Sequence, residues 1–324
     1  MLLKSHRREI SVAIAIAVLA GVLAIAAPSY FARENLSDLF LANIPVLVVA
    51  LGMTLVILTG QIDISVGAMF AICSVAGGVL AKSGLPVPAA ALAACLIGAG
   101  LGAINGALVT YIGIPSIVVT LASMVALRDA LRWQTQGGWV QDLPPNFQWF
   151  GLAQGAYPIV TFLAVALLVL LFAWGLRNLG VGRAVYATGS NTEGARLVGI
   201  DTTRVVFSVF VLTGALTGFA AVLNSVRFNQ IPSNTGLGLE MKVIAAVVVG
   251  GAAITGGVGT IAGTVLGVIL LSAIGPALTF LGVSAYWERA IQGGIILTAV
   301  IIDATRAHSG KQSGKGASAA RSRA

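Results

Sequence analysis

Long apolar runs, separated by short polar breaks, make up most of this chain. Ten runs are candidates for membrane-spanning helices, which need about 20 apolar residues each. They cover residues 10–27, 39–59, 64–81, 87–109, 114–127, 158–176, 204–224, 241–256, 259–281 and 288–303. The fifth and eighth runs are short and only GQID separates the second from the third, so helices can be broken or re-entrant there. The pattern predicts an all-α polytopic membrane protein with about ten transmembrane helices.

The composition also favours a membrane location. Of the 324 residues, 57% are apolar and 9% are charged, and the mean hydropathy is +0.96. A soluble domain carries about 25% charged residues. The net charge of +8 comes from residues at the chain ends and in predicted loops. Membrane topology and lipid headgroups therefore explain this charge better than nucleic acid does.

The basic residues also predict an orientation. A cytoplasmic N-terminus places 12 of the 19 Lys and Arg residues on the cytoplasmic side, as the positive-inside rule prefers. The expected layout is a cytoplasmic N-terminus (1–9), a transmembrane domain (10–303) and a basic, disordered cytoplasmic tail (304–324). Within the transmembrane domain, segment 177–204 is expected to be cytoplasmic and segment 128–157 external. The external segment carries aromatic residues suited to a membrane interface or a docking surface, namely Trp133, Trp139, Trp149 and Phe150.

Glycine recurs at every fourth position in two of the apolar runs. Such spacing clears one stripe of a helix for close contact with a neighbour. The two runs are five spans apart and have opposite orientations, which two inverted five-helix halves would also produce. The glycines predicted to pack helices are Gly98, Gly102, Gly106, Gly259, Gly263 and Gly267.

Signatures of enzymes are mostly missing from the sequence. The only histidines, His6 and His308, lie in the terminal segments, which argues against a histidine-based catalytic triad or an intramembrane metal site. Cys73 and Cys95 lie inside apolar runs and are interpreted as packed free thiols. No phosphate-binding loop of the GxxxxGK[ST] type is present, so the chain is not expected to hydrolyse ATP itself.

A few polar residues within or beside the runs are candidates for a solute pathway. Asp63 opens the third run, where it can cap a helix or lie beside a transport path. The asparagines can line such a path for a hydroxylated solute or bond to a neighbouring helix. Glu240 and Lys242 can form a local ion pair at the outer boundary or take part in gating. The pathway candidates are Asn43, Asp63, Ser65, Asn105, Asn224 and Glu240.

The stretch YATGSNTEGARLVGI, residues 186–200, is unusually polar for this chain. Ser190 or Asn191 can cap a short helix, Glu193 falls in its first turn, and Gly199 can end it. An apolar face of Ala195, Leu197 and Val198 is expected to hold this helix flat at the cytoplasmic surface. The helix is either a capped connection or a rigid element on which a cytoplasmic partner acts.

Four motifs carry a family resemblance. Three of them are TGQIDISVG, GALVTYIGIPSIVVTLASM and TGLGLEMKVIAAVVVGGAAITGGVGTIAGTVLG. The fourth is the stretch 182–200, which ends in YATGSNTEGARLVGI and lies between the second and third of these along the chain. The motifs and their order resemble the permease subunits of ribose-type ABC sugar importers, and the rhamnose and autoinducer-2 branches are the most similar. The departures from the family pattern are modest and fall at Gln61, Ser190 and Gly194.

The resemblance implies a bacterial inner-membrane pore built by two permease subunits, identical or different. A periplasmic binding protein delivers the sugar, and a separate cytoplasmic ATPase binds ATP and supplies the energy. No cofactor or metal is expected in the permease itself. The resemblance places the family's ATPase-coupling helix at residues 191–200, and the residues that match it are Asn191, Ala195, Arg196, Gly199 and Ile200. Ser190 and Glu193 are also expected to take part in ATPase coupling.

Two other functions remain open from the sequence. A stand-alone secondary sugar transporter fits the apolar spans, but a proton-driven carrier normally has buried carboxylates or histidines in mid-span, and these runs have almost none. A membrane enzyme is remote, because the chain lacks the histidines and paired carboxylates that such chemistry requires.

Overall fold

The part of the chain that the structure describes is almost entirely helical. The computed structural model describes residues 2–284 and, beyond them, 286–288, 290, 291, 293, 294, 297 and 298. Most of the predicted tenth run and all of the predicted tail (304–324) lie outside these residues. Within them there is no strand, and only an isolated bridge joins Val140 to Ile231. The prediction of an all-α fold is therefore confirmed.

Eleven α-helices follow one another along the described residues, with two short 3-10 helices at Pro28–Phe31 and Gln148–Gly151. The α-helices are α1 (Leu2–Ala26), α2 (Arg33–Leu58), α3 (Val66–Lys82), α4 (Val87–Thr110), α5 (Ser116–Thr135), α6 (Tyr157–Asn178), α7 (Gly180–Ser190), α8 (Thr192–Leu197), α9 (Thr202–Ser225), α10 (Leu239–Val249) and α11 (Ile261–Phe280).

Six of these helices are long and apolar enough to cross a membrane: α1, α2, α4, α6, α9 and α11. Helix α3 is apolar but has only 17 residues. Helix α5 carries Arg128, Asp129 and Arg132 in its second half, and α10 has only 11 residues. The predicted run 241–256 therefore contains a short helix followed by a loop.

Helices α2 and α9 form the centre of the bundle. In the most apolar 18-residue stretch of α2, 83% of the residues are buried. In the corresponding stretches of α1 and α6, 11% are buried. The outer helices expose apolar side chains such as Leu163, Leu167 and Leu170 on α6. Apolar side chains are stable on a surface that faces lipid, so this distribution fits a helix bundle inside a bilayer.

The segment 128–157 differs from a simple external loop, because α5 extends through its first part to Thr135. Trp133 and Trp139 are exposed, as a membrane interface or docking surface requires. Trp149 instead packs against Tyr157, with ring centroids 5.1 Å apart, and its backbone N–H donates to Val226 O at 2.8 Å. Phe150 also stacks on Tyr157 and is half-buried. Two of the four aromatic residues therefore hold the segment onto the bundle.

The glycines of α4 lie against α9. A Cβ added to Gly98 would overlap the carbonyl of Gly214, and one added to Gly102 would overlap the carbonyl of Phe210. Gly106 lies against the side chains of Phe207 and Phe210. Because glycine has no side chain, the two backbones come into direct contact along this stripe.

A second close contact joins α11 to α10. A Cβ added to Gly263 would overlap the carbonyl of Gly250, and one added to Gly267 would overlap the carbonyl of Ala246. Gly259 has a φ of +154° and lies against Ala252, in the loop between the two helices. The loop and α11 are thus held against the end of α10.

Replacing Gly102 or Gly263 with leucine should destabilise the folded chain by about 1–3 kcal/mol or more, because each site has no room for a side chain. Gly100→Leu is the matched control, since Gly100 is also in α4 but has nothing within 4 Å of its Cβ position. Thermal unfolding in detergent measures the effect. Melting curves for Gly102→Leu and Gly263→Leu that match the control would contradict the close-packed interpretation.

Candidate coupling surface and transport cavity

The polar stretch 186–200 folds as two short helices between α6 and α9. Helix α7 ends at Ser190 and α8 covers Thr192–Leu197. Asn191 Oδ1 accepts a hydrogen bond from Gly194 N at 2.9 Å and caps α8. Glu193 lies in the first turn of α8, where its negative charge interacts favourably with the helix dipole.

Gly199 ends this element. Its φ of +85° lies in the left-handed region that favours glycine. Beyond α8, Gly199 N donates to Arg196 O and Ile200 N donates to Ala195 O, both at 3.0 Å. The Arg196 side chain donates from Nε to Thr202 Oγ1 at 2.8 Å, which ties α8 to the start of α9.

The apolar side chains of this element do not form the single face that the sequence predicted. Ala195 is buried, whereas Leu197 is 88% exposed and Val198 is 76% exposed. Successive helical residues are about 100° apart, so Ala195 and Leu197 point in nearly opposite directions. Ala195 packs α8 against the rest of the chain. The side chains of Leu197 and Val198 remain exposed and can contact a partner.

Glycines hold α7 against two other parts of the chain. The backbone of Gly189 lies directly against the carbonyl of Leu58 at the end of α2 and against Gly257 N. Gly257 N donates to Leu58 O at 2.9 Å. We call the contact of Leu58, Gly189 and Gly257 the glycine junction. Because it is made between backbones, α7 has little freedom to move without α2 and the 250–260 loop.

Two side-chain hydrogen bonds reinforce this connection. Tyr186 on α7 donates its hydroxyl to Gly259 O at 2.8 Å, and burial raises the pKa of this phenol above its ordinary value. Thr260 donates its hydroxyl to Glu9 Oε1 at 2.5 Å and accepts from Gly263 N at 2.9 Å, which caps α11. Helices α1, α2, α7 and α11 therefore meet at one end of the bundle.

Three of the predicted pathway residues form a buried network with Ser123, which the sequence analysis did not single out. Asp63 Oδ1 accepts from Ser65 N at 2.9 Å and from Ser65 Oγ at 2.6 Å. Asn105 Nδ2 donates to Ser65 Oγ at 2.9 Å, and Ser123 Oγ donates to Asn105 Oδ1 at 2.6 Å. Asp63 thus accepts hydrogen bonds from Ser65, the residue before α3, and not from N–H groups within the helix.

This network attaches α5 to the segment between α2 and α3. Ile62 N donates to Ser116 Oγ at 3.2 Å, and Thr120 is buried on the same side of α5. Ser116, Thr120 and Ser123 follow the spacing of one helix face, and this periodicity is the signal that could have identified them. Since their partners are protein groups, these residues support the fold of this region.

Two of the remaining pathway candidates, Asn224 and Glu240, line a cavity of about 720 Å³ at the start of α10. Asn224, Glu240 and Lys242 provide polar groups in its lining, and Pro45 and Phe70 provide apolar surface. Mixed lining of this kind suits a small solute with hydroxyl groups and an apolar ring face.

Lys242 does not form the local pair with Glu240 that the sequence suggested. Its Nζ donates to Asn43 Oδ1 at 3.1 Å and lies 4.0 Å from Glu288 Oε1. Residues two apart on a helix do not face each other, and the Glu240 carboxylate turns instead to Gly67 at the start of α3. Asn43 thus helps to hold a charge beside the cavity.

Arg128 is a further polar group that the sequence analysis missed. It is 9% exposed, and its guanidinium donates to Thr235 O at 2.8 Å and to Gly236 O at 3.4 Å. These carbonyls belong to the loop that leads into α10 and lines the cavity. A buried arginine bound to backbone carbonyls therefore fixes the position of that loop.

Comparison with known proteins defines the class. The permease-component family of branched-chain amino acid transport systems matches residues 35–300. The chain is 36% identical over 304 residues to the autoinducer 2 import system permease protein LsrC of Photorhabdus luminescens, covering 92% of this chain and 90% of the relative. It is 37% identical over 298 residues to LsrC of Enterobacter sp. (strain 638), covering 91% and 86%. No solved structure gives a significant match.

The chain therefore belongs to this family of membrane permease components. The resemblance to importer permeases that the motifs indicated is confirmed. The relatives are named as permease proteins of import systems, which agrees with a chain in which six of the described helices are long and apolar enough to cross a membrane.

Proposed function

We propose that this chain is the transmembrane permease subunit of a binding-protein-dependent ABC importer. It forms the pore with a second permease subunit, identical or different, in the bacterial inner membrane. A periplasmic binding protein delivers the solute, and a separate cytoplasmic ATPase binds ATP and drives transport. The permease itself has no ATPase site and needs no cofactor.

The observation that carries this proposal is the construction of α7 and α8. An external partner needs a rigid surface, and α8 offers Leu197 and Val198 on a capped, glycine-terminated helix. The glycine junction connects that surface to α2 and to the loop before α11. Force applied at α8 is thereby passed to helices that pack around the cavity.

A stand-alone secondary transporter of sugars is the alternative. Such a protein would use titratable groups along its pathway and would need no exposed apolar element at its end. Asp63 satisfies only one carboxylate oxygen through Ser65, and Glu240 and Lys242 line the cavity, so titratable groups do not separate the two functions. The exposed Leu197 and Val198 favour the ABC importer, because they are best explained by a docked partner.

The proposed solute is a small neutral carbohydrate of the autoinducer-2, rhamnose or ribose type. The relatives named as autoinducer 2 import permeases support this class. The cavity also supports it, since Asn224 and Glu240 can hydrogen-bond hydroxyl groups beside the ring of Phe70. Identification of the solute that copurifies with the cognate binding protein tests the class directly, and an amino acid found there would contradict it.

We further propose ten spans in two inverted five-helix halves, with both chain ends cytoplasmic. The packing supports inverted halves: α4 packs on α3 and α9, and α11 packs on α10 and α2. The two halves are related by matching α2, α3 and α4 with α9, α10 and α11. This matching converts the contacts of α4 into the contacts of α11.

Single-cysteine labelling tests the orientation. In a Cys73→Ala/Cys95→Ala background, Ser190→Cys should react with a membrane-impermeant maleimide only from the cytoplasmic side, and Gln141→Cys only from the periplasmic side. Both positions are exposed, so the membrane alone decides which side reacts. Labelling of Ser190→Cys from outside in intact spheroplasts would show that the orientation is reversed.

Removing the two exposed apolar side chains at the end of α8 tests whether a partner docks there. In a reconstituted complex, Leu197→Ser/Val198→Ser should weaken ATPase binding about 30-fold or more, since truncating anchor residues that are buried in an interface costs about 2 kcal/mol. Uptake and stimulated ATP hydrolysis should fall together. Leu85→Ser, an exposed leucine between α3 and α4, is the matched control. Unchanged ATPase affinity in the double variant would show that α8 is only a connection.

A further inference from the structure

An apolar groove of about 650 Å³ lies between α6, α7 and α9, separate from the transport cavity. Helices α6 and α9 do not pack closely on each other, and α7 closes one end of the space between them. The groove is lined almost entirely by apolar side chains, including Leu55, Phe172, Leu176, Val185, Val205 and Leu212. None of the proposed solute-binding residues reaches it.

Basic residues lie at and near one end of this groove. Arg204 lines it directly and is largely exposed, although it pairs with Asp201 at 2.9 Å. Arg177 follows the lining residue Leu176 and is exposed in the last turn of α6. Arg183 is also exposed, and its Nη1 donates to Asn178 O at 3.4 Å, beside the turn that forms the rim. Three arginines and one aspartate leave a net positive charge at the mouth.

We propose that this groove binds a phospholipid with an anionic headgroup. One acyl chain occupies the apolar groove, and the phosphate lies at the rim between Arg183 and Arg204. Apolar lining and a cationic rim at the end of a membrane helix match the two parts of such a lipid, and basic pockets between transmembrane helices are known sites for anionic headgroups. This proposal does not depend on which solute the protein carries.

The site has a consequence for the coupling surface. Val181, Ala184 and Val185 of α7 line the groove, and the same helix contributes Gly189 to the glycine junction. Val181, Val185 and Gly189 are four residues apart and lie on one face of α7, so a bound acyl chain packs along the same face that forms the junction. Anionic lipid is therefore expected to stabilise the position of α7 as well as to bind.

Native mass spectrometry of the purified, delipidated chain tests the proposal. Phosphatidylglycerol should bind more tightly than phosphatidylcholine, and Arg183→Gln/Arg204→Gln should lower the phosphatidylglycerol affinity about 25-fold. This is about fivefold per arginine, the fold-change equivalent to about 1 kcal/mol. The phosphatidylcholine affinity should change little. Arg132→Gln is the matched control, because Arg132 also pairs with an aspartate three residues earlier but lies outside the groove.

A second variant separates the acyl chain from the headgroup. Ser208 lines the groove and is exposed, so Ser208→Phe should fill the space and lower the affinity for both lipids. Glycerol phosphate, which has no acyl chain, should not compete with phosphatidylglycerol. Equal binding of both lipids by the wild-type chain would overturn the proposal. So would an arginine variant that keeps its lipid preference but loses ATPase affinity, because the groove would then receive the protein partner.

Discussion

Direct contact between backbones is the constraint on which the rest of this structure depends. Apolar side chains gain little by leaving lipid for a protein interior, so membrane helices associate through close packing. Three such contacts are made at Gly98 with Gly214, Gly250 with Gly263, and Gly189 with Leu58. Each leaves no space for a Cβ. The first two contacts hold helices together within the bundle. The third attaches the short helices α7 and α8 to the end of the bundle.

The polar groups are consequently divided between two roles. Asp63, Ser65, Asn105 and Ser123 bond to one another and join three segments of chain. Lys242 lies with Asn43 and Glu288 beside the cavity, where Glu240 also contributes to the lining. A permease that relies on an external energy source can use its polar residues in these ways, since none has to carry a proton across the membrane.

Hydropathy located most helices closely, because long apolar runs have few other stable structures in lipid. The run 87–109 corresponds to α4 at Val87–Thr110, for example. The prediction of a span over 241–256 was less accurate, because α10 ends at Val249. Gly251 and Gly256, in the loop that follows, have φ values of +101° and +91°, which apolar composition does not reveal. The helix cap at Asn191 and the helix end at Gly199 could be predicted from the neighbouring residues alone. Contacts such as Tyr186 with Gly259 join distant residues, so only the folded chain shows them.

The central claim is that work enters at α8 and passes through the glycine junction. Gly189→Ala tests it most directly in a reconstituted complex, because a single methyl group would separate α7 from Leu58 while leaving Leu197 and Val198 unaltered. We expect normal ATPase affinity but a loss of uptake and of binding-protein-stimulated hydrolysis, whereas Gly100→Ala, where space is open, should behave as the wild type. An inserted, stable Gly189→Ala variant with normal uptake and normal stimulated hydrolysis would contradict the account.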